Sequence, residues 1–415
     1  MKEPPGQRSA AELIAAADPL RARSAISGAT VRTPTIACDD LTAVTGAPVA
    51  LKAECLQRTG SFKLRGALAK VAALGDGAAA GLVTASAGNH GRAVAEAARV
   101  MGVACDVFMP RDAAVSKVAA VERLEAQVHL AGASVEEALE LAAECAESKG
   151  MAFIHPFDDL DVIAGQGTVA LELLEDVPDL ARVIVPVGGG GLASGIGIAL
   201  RRAGAEVELV GVQARACAPY ARTLRPDGAA VELGASPGAT IADGIAIKRP
   251  GQLTLPLLRE LLDGLETVTE DEIAGAMVFL AEHAKLVAEG AGAVAAAALL
   301  SGRLAPVRGT TVAIVSGGNV DGGLLAGLLR RHETEEGRRV RIFTRVPDRP
   351  GGLADLLNLV ALARANLVTL EHVRDAVALR VRETGVELTL ETRGPHHTEE
   401  VLTALAEAGY EVRLE

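Results

Sequence analysis

Lys63 stands between Phe62 and Leu64 in "QRTGSFKLRGALAK" (57–70), behind a Thr-Gly-Ser turn and just inside what should be a helix. An amine at the positive end of a helix, packed beside apolar side chains, is pushed toward its neutral form by the dipole and by partial desolvation. A neutral amine can attack a carbonyl. Alone, the segment would describe an ordinary solvent-facing lysine, the default for most lysines. Three further segments keep it company: "SAGNHG" (86–91), "VGGGGLASG" (187–195) and "VSGGN" (315–319). Each falls where a strand should feed a helix, at the carboxyl edge of a parallel sheet, and open α/β folds bind their ligands there.

Gly188 to Gly191 remove every side chain from a turn leading into "LASGIGIALRRAG". Several backbone N–H groups can therefore close on one anion at a helix N-terminus, and a phosphate is the expected guest. A helix-end charge interaction contributes only about 0.3–1 kcal/mol, so anchoring a whole cofactor needs several donors together or a covalent bond. Gly188, Gly190 and Ala193 also fit the G-x-G-x-x-A spacing of dinucleotide folds, which want an acidic residue at the end of the next strand. The strand "EVELVGV" ends instead at Gln213, which disfavours NAD, and no G-x-x-x-x-G-K-[ST] run offers ATP a seat.

The elements that must position these residues are short Val- and Ile-rich runs alternating with Ala-rich helical segments, the pattern of βαβ units around a covered sheet. Strands are expected at 81–86, 103–109, 127–131, 181–187, 206–212 and 311–316. Capping-box spacing at Ser9/Glu12, Ser134/Glu137 and Thr269/Glu272 marks helix starts, and Gly28, Gly150 and Gly302 mark stops. The charged run "RRHETEEGRR" reads as a linker around 331–337, after which residues 338–415 alternate β-α-β-β-α-β, the ferredoxin-like order. Residues 1–330 then form one α/β unit, with a smaller subdomain at about 51–150 inserted in a larger one.

Composition bounds the partners. With 415 residues, two or three folding units are expected, and 2% aromatics with no Trp call for small aliphatic side chains and closely packed helices. A net charge of -12 gives no footing for nucleic acid or an anionic membrane, which leaves a small molecule as the partner. The N-terminal segment lacks the basic region and apolar run of a signal peptide, and the longest small-apolar run, 291–300, is about half a membrane span, so a cytoplasmic protein is expected. Five scattered cysteines without C-x-x-C argue for free thiols, and no metal site is expected. His396 and His397 read as a solvated pair on a loop and His283 as a helix-face residue.

"SFKLRGA", "SAGNHG", "GGGGL", "EGAG" (289–292) and "SGGN", in this order, resemble the fold type II (tryptophan synthase β-like) pyridoxal-phosphate enzymes, most closely the threonine and serine dehydratases. By that resemblance Lys63 forms a Schiff base with pyridoxal 5'-phosphate, Phe62 packs on the ring, and Gly188, Gly189, Gly190, Gly191 and Leu192 hold the phosphate. Asn89 meets the 3-hydroxyl and Ser316 the ring nitrogen, while Ser86, Ala87, Asn89 and His90 receive the substrate carboxylate. Glu289 lies near the ring edge. An uncharged serine at the ring nitrogen makes a weaker electron sink than a carboxylate would, which suits elimination of a β-hydroxyl better than transamination. Serine racemases carry a second serine after the position of Ser86, where this chain has Ala87, so elimination should exceed racemisation.

The C-terminal region resembles an ACT domain, with Gly351 and Gly352 of "DRPGGL" and Asn366 as the points of carry-over for an amino-acid effector. The resemblance implies a threonine ammonia-lyase that makes 2-oxobutanoate and ammonia, in isoleucine biosynthesis or threonine catabolism. Such an enzyme would be regulated by isoleucine or valine and assembled as a homodimer or homotetramer. The alternatives are a serine dehydratase or racemase and, from another class, an amino-acid sensor without turnover. Loss of Lys63 or of the glycine run would mark the sensor, and both are intact.

Overall fold

Six strands of one sheet run in the spatial order Thr35–Ala37, Val49–Lys52, Thr310–Ile314, Leu180–Pro186, Glu208–Ala214 and Gly264–Val268, all neighbours parallel except the first pair. Between Val49–Lys52 and Leu180–Pro186 the chain builds a second, four-stranded parallel sheet, ordered Gln127–Leu130, Cys105–Met109, Leu82–Ala85, Ala152–Phe153. This is a computed structural model describing residues 8–224, 240–374 and 382–414, and it divides into two units, Met1–Asp321 and Gly322–Glu415. The six strands expected in the first unit lie within two residues of their expected ends. Position 51 falls inside a strand of the larger sheet, and the strands of the inserted sheet run from Leu82 to Phe153.

Small residues set the helix spacing. A Cβ on Gly165 of the Leu160–Asp176 helix would lie 2.6 Å from the Arg65 carbonyl, and one on Gly167 would lie 2.5 Å from that of Gly195. The Leu160–Asp176 helix thus packs backbone to backbone against both Lys63–Leu74 and Gly191–Arg202, the two helices that open at the lysine and at the glycine run. The close packing expected from the composition is met here.

A charged cluster lies beneath the Lys63–Leu74 helix. Arg65, 1% exposed, grips Glu54 through Nε and Nη2 at 2.8 Å each and Glu172 through Nη1 at 2.6 Å. Lys52, wholly buried, reaches Glu172 at 2.6 Å and the Thr33 carbonyl at 2.7 Å. Burial alone would push the Glu54 carboxyl up, but Arg65, Thr33 and Lys52 together outweigh it and hold the group below the usual carboxylate range.

The capping boxes at Ser9/Glu12 and Thr269/Glu272 have both halves. At Ser134 only one half forms: its hydroxyl accepts from Glu137 N at 3.2 Å, while the Glu137 carboxylate turns to Ala133 N at 2.8 Å. His283 caps the C-terminus of Glu270–Glu282, stacked on Phe279 with ring centroids 4.6 Å apart. The five cysteines are free, two buried and three partly so. No helix among the described residues is long and apolar enough to cross a membrane.

The second unit follows the β-α-β-β-α-β order, with its antiparallel sheet arranged Asn366–Val373, Glu383–Glu391, Arg339–Pro347, Arg413–Leu414. Leu356 and Val360 of the Gly352–Leu362 helix and Val401 and Leu405 of Pro395–Glu407 bury themselves against Ile342, Val386 and Leu388. Two expectations fail here. The charged run at 331–335 is helical, because the apolar "GGLLAGLL" before it starts a helix, Gly322–Glu335, that the run continues with an Arg331–Glu335 pair at 2.7 Å. His397 is no solvated loop residue but lies 5% exposed in the first turn of Pro395–Glu407, accepting from Arg393 N at 3.0 Å and donating to the Ala363 carbonyl at 2.8 Å.

Candidate active site

The "TGS" turn ends with Phe62 as helix cap, so Lys63 is the first residue of its helix. Its Nζ donates to the Pro156 carbonyl at 2.8 Å and lies 5.2 Å from the centre of the Phe62 ring. Burial pushes the ammonium down to about 8, with Glu289 pulling the other way. An amine so placed is partly neutral near neutral pH and can form and release a bond to an aldehyde.

Backbone bonds tie three motifs together. Phe62 N donates to Ser316 O at 3.1 Å, Gly318 N to Gly60 O at 2.9 Å, and Glu289 N to Gly317 O at 3.1 Å. Ser316, 3% exposed, turns its hydroxyl to the Ala291 carbonyl at 3.3 Å. Gly292 lets this cluster close, since its Cβ would fall 2.1 Å from Gly317 O. Burial raises the Glu289 carboxyl to about 7, against a hydrogen bond donated by Asn89 Nδ2 at 2.5 Å.

In "SAGNHG", Ser86 Oγ accepts from Gly88 N at 3.1 Å and Asn89 opens a 13-residue helix. Ala87 occupies the turn between them. His90 donates from Nε2 to the Ile154 carbonyl at 3.0 Å, and burial pushes its pKa down to about 3, so the ring is neutral. Its buried Nδ1 is then an acceptor without a partner among the described residues, as are the Ser61 and Thr59 hydroxyls in the turn before Lys63.

At the glycine run, Gly190 sits at φ +88° and the helix opens at Gly191, with Leu192 next and buried. Two carbonyls of this turn are held by side chains. Tyr220 Oη and Thr254 Oγ1 both donate to Gly189 O at 2.8 Å, and Gln213 Nε2 donates to Val187 O at 3.0 Å. Among the described residues the N–H groups of Gly188, Gly189 and Gly190 donate to no protein acceptor. Pinned carbonyls with free N–H groups are what an anion cradle requires. Added Cβ atoms would collide, at 2.9 Å with Ile245 for Gly188 and at 2.1 Å with the Phe157 ring for Gly189.

The segment 155–158, which the sequence reading left out, links the two ends: Pro156 holds Lys63 and Phe157 covers Gly189 and Gly191. Tyr220 and Thr254 stand outside every motif of the sequence, and Asn319 lies in one, "VSGGN", but is given no role by it. One signal was available, for Tyr220 is one of only two tyrosines in a chain of 2% aromatics.

A tempered amine, a side-chain-free anion cradle, an amide donor and a buried hydroxyl suit an aromatic aldehyde phosphate. The family of pyridoxal-phosphate dependent enzymes matches residues 26–317, and the chain belongs to it. An L-threonine ammonia-lyase from Thermotoga maritima is 46% identical over 376 residues, covering 90% of this chain and 92% of that protein. One from Geobacter sulfurreducens is 43% identical, covering 88% of this chain and 90% of its own length. The solved structure of maize serine racemase matches with a TM-score of 0.70 at 34% identity, covering 77% of this chain and 99% of its own.

Proposed function

We propose that the chain deaminates L-threonine to 2-oxobutanoate and ammonia. The observation that carries this reading is the likeness to an L-threonine ammonia-lyase over 90% of the chain, a stretch longer than the 321-residue first unit and so one that enters the second. Lys63 would be the residue to which pyridoxal phosphate is joined, and the N–H groups of Gly188 to Gly191, with Leu192, would hold its phosphate. Phe62 would pack beside its ring, Asn89 would donate to the ring oxygen, and Ser316 would meet the ring nitrogen. When bound, the cofactor supplies a sink for the electrons left at the substrate α-carbon.

Lys63, once freed, takes the α-proton; with its pKa at about 8 a useful share is neutral at working pH. The Ser86 hydroxyl and the main-chain N–H groups of Ala87, Asn89 and His90 hold the substrate carboxylate at the amide-rich start of the helix; the His90 ring takes no part, since its free Nδ1 only accepts. Glu289 closes the polar edge of the pocket. Ala87 offers no proton donor for the opposite face of the α-carbon, which favours elimination over racemisation. The test is a product assay on L-threonine and L-serine, with oxoacid expected from threonine. D-serine as the main product would overturn the reading.

The second unit acts as an ACT-type sensor, working by population shift through Gly351, Gly352 and Asn366 in a homodimer or homotetramer. Gly351 adopts φ +89° at the cap of Gly352–Leu362, and a Cβ on Gly352 would lie 2.3 Å from Pro347 O, so both positions call for glycine. Asn366 Nδ2 is engaged with Glu391 at 2.9 Å. Titrating isoleucine and valine against the activity of the full chain should change it. No response at millimolar concentrations would remove the regulatory part.

A further inference from the structure

The last residue of "VSGGN" is used by no part of the proposed reaction, yet Asn319 meets two other motifs at once. Its Nδ2 donates to the Thr59 carbonyl at 2.8 Å and to Asn89 Oδ1 at 2.7 Å, and its Oδ1 accepts from Arg92 Nη1 at 2.6 Å. The two fixed ends of this chain of bonds decide its polarity. A guanidinium only donates and a carbonyl only accepts, so the Asn319 amide must point its oxygen at Arg92 and its nitrogen at Thr59. That nitrogen then takes the Asn89 oxygen, and Asn89 has only its Nδ2 left to offer. Gly60 makes room for the arrangement: at φ +77°, a Cβ there would sit 2.5 Å from Asn319 Oδ1.

The far side of Asn89 faces Glu289. Its Nδ2 lies 2.5 Å from Glu289 Oε1, and a Cβ on Gly317, beside Ser316, would fall 2.2 Å from that oxygen and 3.2 Å from the Asn89 nitrogen. A carboxamide is nearly symmetric in shape and opposite in polarity at its two ends, so shape alone would leave Asn89 free to present either one. Arg92 stands one turn further along the same helix, and both it and Asn319 are half-buried, where a reversed amide would leave donor facing donor.

We propose that Asn319, backed by Arg92, is a positioning residue that locks the Asn89 carboxamide with its N–H₂ group turned into the pocket, so that it can donate to the ring oxygen of the bound cofactor. This rests on the reading that Asn89 contacts that oxygen. Asn319→Asp keeps the shape and the Arg92 contact but removes both donated bonds. Asn89 then turns its nitrogen to the new carboxylate and its oxygen to the cofactor.

The test is a double-mutant cycle read by titrating cofactor-free protein with pyridoxal phosphate. Asn319→Asp should weaken cofactor binding by about tenfold or more, the effect of turning a buried donor into a facing acceptor. It should also shift the pH at which the visible band of the bound cofactor titrates. In an Asn89→Ala background the same change should alter affinity by less than about twofold, because the group it acts through is gone. Arg92→Met, which leaves Thr59 and Gly60 untouched, should give a smaller loss in the same direction and serves if Asn319→Asp fails to fold. Unchanged affinity in both single variants, or an undiminished penalty in the Asn89→Ala background, would overturn the proposal. Wild-type protein that takes up no cofactor would overturn the family reading beneath it, and the proposal with it.

Discussion

The two ends of the candidate pocket hold their donors by opposite means. At Gly188–Gly191 the donors are main-chain amides, aimed by pinning the carbonyls of Val187 and Gly189 to Gln213, Tyr220 and Thr254. At the Asn89 edge the donor is a side chain, aimed by other side chains. A main-chain donor survives every change of its own residue except to proline, so the first end is vulnerable chiefly to added bulk. The second end is vulnerable to a change of polarity that leaves its shape intact.

Lys63 is the proposed point of attachment between the two ends, and its loss should be felt most. Lys63→Ala should lower turnover by about 10²- to 10⁴-fold, the usual worth of a positioned base. Hydride reduction of the loaded protein should then leave no label at position 63 by peptide mapping. Gly190→Ala comes next. It forces a side chain onto φ +88° with its Cβ 2.9 Å from Leu258 and Thr254, at a cost of about 1–3 kcal/mol. Cofactor affinity, measured by titration, should fall about ten- to a hundredfold. Should Asn89→Ala cost more than Gly190→Ala in the same titration, the contrast drawn between the two ends would be inverted.

A milder change sharpens the contrast. Tyr220→Phe removes one of two donors to Gly189 O while Thr254 keeps the other, so affinity should drop by only about 0.5–1.5 kcal/mol. Smallest is the pH effect. The neutral share of Lys63 grows as pH rises through about 8, so capture of added pyridoxal phosphate by cofactor-free protein should quicken with pH up to about 8 and level off above it. A capture rate still climbing in proportion to hydroxide at pH 10 would mean that burial does not depress this amine.

The same contrast explains what could be read from the residues alone. The glycine run was legible because four side-chain-free positions between a buried strand and a helix have few other uses, and the lysine because its helix start could be placed. The parallel strands were legible as unbroken apolar runs, since strands such as Cys105–Met109 are buried throughout. The supports of the cradle were not. Tyr220 and Thr254 lie 31 and 65 residues from Gly189, and a hydrogen bond across such a distance leaves no periodicity behind. His397 was misread because a histidine pair suggests solvent, although Pro395 at the first helical positions already marked a helix start. Charge over 331–335 suggests a linker, whereas a helix begun by apolar residues can run on through charged ones.

The buried charges beneath the lysine helix bear on how this protein can change. Replacing Arg65, Glu54, Glu172 or Lys52 singly would strand an uncompensated charge in the interior, a penalty of about 3–5 kcal/mol and a large part of the roughly 5–15 kcal/mol by which a domain is stable. Replacing several together with well-fitting apolar residues need not carry that penalty. Drift at these positions is therefore gated: related chains should keep the group entire or exchange it as a block, and any half-way sequence should be selected against before its chemistry is ever tried.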